Sequence, residues 1–147
     1  MSKPPKLPKY EQTLSAVLLS AKEAVILPMR PKMREHDVTE PQCRVMRVIN
    51  DHGPTDASRV AEIGQLHKPS VTRILKELEA RNLVARETDN RRRVLVALTP
   101  DGHELVKTLT YDVRRVMAEY SERFGAERLE RLINELRALT ATISGVE

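Results

Sequence analysis

Residues 90–100 read NRRRVLVALTP, so Arg91, Arg92 and Arg93 stand side by side just before an alternating apolar stretch. Adjacent guanidinium groups repel one another and give a fold little. A polyanion would use them, because each can donate charge-assisted hydrogen bonds to phosphate. Arg91 and Arg92, with Asn90 beside them, are therefore expected to face a nucleic-acid duplex. Arg93 begins the following strand and has an acidic neighbour as an alternative partner. A second set of such residues lies upstream in KPSVTRILKEL, residues 68–78. At helical spacing Val71, Ile74, Leu75 and Leu78 share one arc, whereas Thr72, Arg73 and Lys76 fall roughly opposite, with Ser70 at the edge. Lys68 and Ser70 stand at the end where free amides and the helix dipole favour phosphate. Arginine can pair with guanine edges, and hydroxyls contact bases or phosphates. The expected DNA-contacting set is Lys68, Ser70, Thr72, Arg73, Lys76, Asn90, Arg91 and Arg92. The plain alternative is a solvated basic face and a solvated charge run.

Other chemistry finds little support. The chain has five glycines and no phosphate-cradling loop among them. No serine has a nucleophile-elbow setting, and no His-Glu zinc motif occurs. No enzymatic activity, catalytic residue or cofactor is expected. The lone cysteine, Cys43, excludes an internal disulfide framework and a cysteine-based zinc cluster. It reads as a buried structural thiol, with a redox sensor as the alternative. His36, His52, His67 and His103 form no i,i+4 pair, so no metal site is expected; a metal-responsive regulator stays open as an alternative. Lys22, Arg30, Arg44 and Arg47 flank the first two helices; Lys22 and Arg44 are the candidates for binding a ligand carboxylate, in a cleft expected beneath the first helix with apolar walls from Val17, Ala21 and Met46.

Twenty-five Lys and Arg against 21 Asp and Glu give a net charge of +4 over 147 residues. That balance leans toward a polyanionic partner, and the length suits one domain. No apolar run approaches the ~20 residues of a membrane span. TLSAVLLSA (13–21) follows Glu11 and continues at helical spacing, so it reads as part of a soluble helix, and a cytoplasmic protein is expected.

The elements that must position these residues follow from period and punctuation. Residues 1–9 hold three Pro and three Lys and read as a flexible basic arm. A helical pattern runs from 10 to about 36, where Pro28 and Pro31 must kink or end it. Thr39 caps the next helix with Gln42 reaching back as a capping box, and Val45, Met46 and Ile49 form its buried side. HGPT (52–55) breaks it. A short helix over 56–63 with Val60, Ala61 and Ile63 apolar, a tight GQLH connection and a helix from Pro69 to about Asn82 make a helix-turn-helix. LVARE (83–87) and VLVALT (94–99) then read as a hairpin with a basic tip, suited to a narrow, electronegative minor groove. Thr99 and Pro100 start a further helix lined by Leu105, Leu109, Val113, Val116 and Tyr120. Gly125 interrupts it. Leu129, Leu132, Leu136, Leu139 and Ile143 recur at 3-4-3-4 spacing along the last helix, a coiled-coil-like seam. The expected fold is mainly α: a winged helix-turn-helix with a two-stranded β-hairpin wing and a helical dimerisation domain.

Over roughly residues 10–145 the chain resembles the MarR family of bacterial transcriptional regulators. The resemblance rests on VTEPQCRVMRVI, KPSVTRILKELEARNLVAR and NRRRVLVALTPDG. The family usually carries Asp, one residue, Arg, then five residues before Leu-Thr. Leu98-Thr99 sets Arg92 at the arginine and Asn90 at the aspartate, with Asp89 one position early. The wing's usual Asp–Arg brace therefore departs from the pattern, and Asp89 is the residue that can replace it through a shifted loop. The resemblance implies a homodimer, with dimerisation segments 10–36 and 101–147 and a DNA-binding segment 39–99. It implies a pseudo-palindromic operator. REHDVTEPQCRVMRVI, KPSVTRIL and LVAR are most similar to regulators of homoprotocatechuate (4-hydroxyphenylacetate) catabolism, which implies a repressor released by a small aromatic carboxylic acid. A helical interaction module without DNA affinity is the contrasting reading.

Overall fold

The computed structural model describes residues 1–145. Residues 1–9 take no regular secondary structure and are exposed. The long first pattern is divided by its prolines, as the missing amide donors require. Thr13 caps α1 (Leu14–Ile26), accepting from the Ala16 amide at 3.2 Å. A 3-10 turn at Leu27–Met29 holds Pro28, and α2 (Arg30–Glu35) starts with Pro31 in its first turn. In α3 (Glu40–His52) both halves of the capping box form: Gln42 N–H donates to Thr39 Oγ1 at 3.2 Å, and Thr39 N–H donates to Gln42 Oε1 at 3.0 Å.

Asp56 caps α4 (Ala57–Gly64), and the connection to α5 (Lys68–Ala80) turns at Gln65 with φ 53. The left-handed position thus falls on a glutamine, not on the neighbouring glycine. Gly64 is instead buried beside Val48 and Arg44. Strands β1 (Val84–Thr88) and β2 (Val94–Leu98) pair antiparallel, Val84 opposite Leu98 and Thr88 opposite Val94. HGPT does end α3, but it also adds to the wing. Thr55 exchanges both backbone hydrogen bonds with Val96, at 3.1 and 2.8 Å, which ties the start of the helix-turn-helix to the hairpin.

Thr99 caps the 25-residue α6 (Pro100–Phe124), and Gly125 separates it from α7 (Ala126–Ser144). The α6 start is a close joint. Thr99 Oγ1 donates to Asn82 O at 2.6 Å and accepts from Gly102 N–H at 3.0 Å. A Cβ on Gly102 would lie 2.0 Å from the Leu83 carbonyl oxygen, so only glycine fits there.

The core sits in the helix-turn-helix half. Met46, Ile49, Val60, Val71, Leu75 and Leu78 are almost completely buried, as helical spacing predicted for α3 and α5. Ile63 is 38% exposed at the edge of a cavity, and at the start of α6 Val106 is deeply buried beside Leu105, which packs partly buried against the core. In contrast, α1 and α7 have no buried residue within one chain.

Candidate nucleic-acid interface and effector cavity

The outward face of α5 holds the expected polar set. Lys68, Thr72, Arg73 and Lys76 are exposed and Ser70 is half-buried, while Val71, Ile74, Leu75 and Leu78 anchor the opposite face. His67 precedes the helix without a side-chain cap, so the amides of the first turn beside Lys68 and Ser70 stay available to an external acceptor. Thr72 Oγ1 donates back to Lys68 O at 3.1 Å. Arg73 lies 3.8 Å from Glu77 with its side chain 71% exposed, a weak tether that leaves the guanidinium projecting. Glu77 also accepts from Gln42 Nε2 at 2.9 Å, which fixes α5 against the start of α3. At the other end Arg81 donates to the carbonyls of Asp37 and His36 at 2.6 and 3.0 Å, a clamp that sequence periodicity had no means of signalling.

The wing tip divides its three arginines between two tasks. Asp89 Oδ1 accepts from the amides of Arg91 and Arg93 at 2.9 and 2.8 Å, and its Oδ2 accepts from Arg93 Nε at 2.8 Å. The Arg93 amide, with the Arg93 side chain and the Arg91 amide, holds the Asp89 carboxyl below its ordinary range. The brace is therefore Asp89–Arg93, shifted from the positions that the family spacing assigns to Asn90 and Arg92. Arg92 occupies the left-handed region, φ 60, at the tip of the turn. Asn90, Arg91 and Arg92 are exposed, and their side chains make no hydrogen bond or ion pair among the described residues.

A cavity of ≈ 230 Å³ opens between α2, α3, α4 and α6, with Met33, Cys43, Val48, Ile63, Leu109 and Val113 among its apolar walls. Its size suits a single ring better than a drug-sized molecule. Arg44 and Arg47 both line it. Arg44 is already engaged: it grips Glu40 at 3.1 and 2.6 Å and donates to Gly64 O at 2.9 Å, fastening α3 to the turn after α4. Arg47 pairs only with exposed Asp51 at 3.1 Å and has more freedom to turn inward. Lys22 lies exposed on α1, which contributes no wall to this cavity. Of the apolar walls expected beneath the first helix, Met46 is fully buried in the core, while Val17 and Ala21 are exposed on α1. Cys43 faces the cavity; burial, with Glu40 nearby, pushes its thiol up to about 11. A thiol so protonated is a poor nucleophile, which speaks against redox sensing. Among the described residues no three His, Cys, Asp or Glu side chains come together as a metal site.

Comparison with known proteins gives this geometry a lineage. The sequence profile of the MarR family matches residues 36–93, which span α3 to the wing tip. The chain is 30% identical over 128 residues to the HTH-type transcriptional regulator FarR of Neisseria gonorrhoeae, covering 86% of this chain and 87% of FarR. It is 28% identical over 131 residues to the homoprotocatechuate degradative operon repressor of Escherichia coli, covering 88% of each. The crystal structure of NadR in complex with 4-hydroxyphenylacetate superposes with a TM-score of 0.81 at 27% identity, over 92% of this chain and 100% of that one. The agreement extends from the helix-turn-helix through both flanking helical segments, and the chain belongs to the MarR family of transcriptional regulators.

Proposed function

We propose that this protein is a homodimeric, DNA-binding repressor of an aromatic-acid catabolic operon, released when a small aromatic carboxylate binds. The observation that carries the DNA reading is the division of the wing arginines. Arg93 is used to brace the loop, and Arg91 and Arg92 are left exposed and unpaired among the described residues, as the cations of α5 are left exposed. Arg73 and Lys76, with Lys68, Ser70 and Thr72, would read the major groove, while Asn90, Arg91 and Arg92 would enter the minor groove. Two symmetric copies imply a pseudo-palindromic operator with half-sites one helical turn apart. Nothing in this arrangement serves catalysis, and a cytoplasmic location follows from the operator as target. Among the described residues no helix is long and apolar enough to cross a membrane.

The second copy would cover the apolar faces of α1 and α7. Leu14, Val17, Leu19, Leu132, Ile133 and Ile143 are each more than two-fifths exposed in one chain. A stable interface needs about 800 Å² from each partner, and these two helices supply an apolar stripe for it.

The effector reading rests on the names of the similar proteins and on the cavity. An aromatic ring would lie against Cys43, Ile63, Leu109 and Val113, with its carboxylate on Arg47 and Arg44. Such a ligand releases DNA only by favouring the arrangement that does not fit the operator. Coupling of about 1–3 kcal/mol is typical, so saturating ligand should weaken operator binding roughly 5- to 150-fold. The test is fluorescence anisotropy of a labelled operator duplex, titrated with 4-hydroxyphenylacetate at fixed ionic strength against matched sodium chloride. A shifted binding curve supports the reading, and an unmoved curve rejects the aromatic effector.

A further inference from the structure

On the side of α6 next to the effector cavity lies a second concavity, ≈ 310 Å³, lined by Asn50 of α3 and by His103, Val106, Lys107, Thr110, Tyr111 and Arg114 of α6. Its charges have one sign. His103, Lys107 and Arg114 fall within about 40° of one another around the helix, and the wall contains no carboxylate. Other cations of this region are spoken for: Lys32 and Arg115 both approach Asp112, at 3.8 and 4.0 Å, and Arg47 holds Asp51. The side chains of His103, Lys107, Tyr111 and Arg114 make no hydrogen bond or ion pair among the described residues. Unneutralised cations gathered in a concave wall repel one another, and a bound anion would relieve that repulsion.

We propose that this concavity is a binding site for a small dianion, a phosphate ester or a polycarboxylate, separate from the effector cavity. Lys107 and Arg114 take the charged groups and His103 adds a ring N–H donor. Thr110, Asn50 and the Tyr111 hydroxyl donate hydrogen bonds. The exposed Tyr111 ring and buried Val106 receive the ligand's carbon skeleton. A DNA phosphate backbone is the poorer fit. The site lies between α3 and α6, and none of its lining residues belongs to α5 or the wing.

The site is placed to modulate DNA binding. α6 is the single helix that joins the wing to α7, and Val106 and Thr110 line both concavities. An anion bridging Asn50 to α6 would brace the α3–α6 contact against the movement that an effector in the neighbouring cavity must produce.

Glycerol 3-phosphate and succinate are the probes, with benzoate as the monoanion control, titrated by calorimetry into the full chain at constant ionic strength. Saturable binding of one dianion is expected, weakened at least about tenfold in the Lys107→Gln, Arg114→Gln double variant and unchanged in Lys76→Gln on α5. Both altered residues are exposed, and an unchanged circular dichroism spectrum would establish that the double variant folds. Failure of both dianions to saturate, or equal binding by the double variant, overturns the proposal. So does a double variant that loses operator affinity without any added anion, because the stripe would then be a DNA contact. None of these outcomes depends on whether an aromatic effector exists.

Discussion

The two halves of this chain meet water very differently. Between α3 and β2 the apolar residues close on themselves: Val45, Met46, Val60, Val71 and Leu78 are fully buried. In α1 and α7 the apolar residues are nearly as regular in spacing, yet no residue is buried. The difference teaches that the DNA-reading half carries its own core, while the flanking half is built to be completed by another surface. A second copy is the natural occupant, since a homodimer presents the same stripe to itself.

The most severe way to break that contrast is a charge in the unfinished half. Leu136 lines an apolar groove of ≈ 540 Å³ on α7 with Ile133, Thr140 and Ala141. Leu136→Glu should convert dimers to monomers or aggregates in sedimentation velocity and abolish operator binding. The thermal transition of the helix-turn-helix half should persist. Monomers that still bind operator tightly would mean that the flanking half is dispensable.

Next in size is the joint between the halves. Gly102→Ala drives a methyl group into the Leu83 carbonyl and must push α6 away from the hairpin. Overpacking of this kind costs about 1–3 kcal/mol or more. Urea unfolding should show that loss, and an unchanged midpoint would mean that the joint is looser than its geometry implies.

Within the reading half, α5 and the wing should separate by kind of effect. Arg73→Ala should cost on the order of 1–3 kcal/mol at a recognised base and relax sequence preference there. Arg92→Ala should weaken all duplexes alike and flatten the salt slope by about one per lost phosphate contact. Equal sequence dependence in both variants would erase the distinction. The Asp89 brace adds a pH dependence. Because its carboxyl is held below the ordinary 3.8, it steadies the wing at pH above that value, and the contribution fades as pH falls through the lowered one. Wing amide protection in hydrogen exchange should therefore be constant from pH 7 to 5.

The smallest effect concerns Cys43. With its thiol raised from 9.0 to about 11, the thiolate population near neutral pH falls on the order of 100-fold. Iodoacetamide should alkylate it that much more slowly than a free thiol. A rate close to that of free cysteine would reopen the redox reading.

Much of this was legible in the residues. Capping and helical period marked α3 and α5 to within a residue or two, because burying one apolar arc is a local pattern. The hairpin was legible from its alternation. What escaped was whatever depends on partners distant in sequence: the Thr55–Val96 bridge, the Arg81 clamp on the turn before α3, and the Arg44 grip on Gly64. The wing brace was half legible. Asp89 and Arg93 were both noted as able to pair, but only the left-handed turn at Arg92 decides which arginine folds back. The effector cavity was displaced for the same reason, since α1 was expected to roof it and within one chain does not.

Stoichiometry tests the central claim most directly. Native mass spectrometry of the full chain with a pseudo-palindromic operator duplex should give two chains on one duplex, and no complex containing a single chain. A stable complex of one chain per duplex, or no complex at all at low salt, would contradict the account of a self-completing dimer that reads DNA.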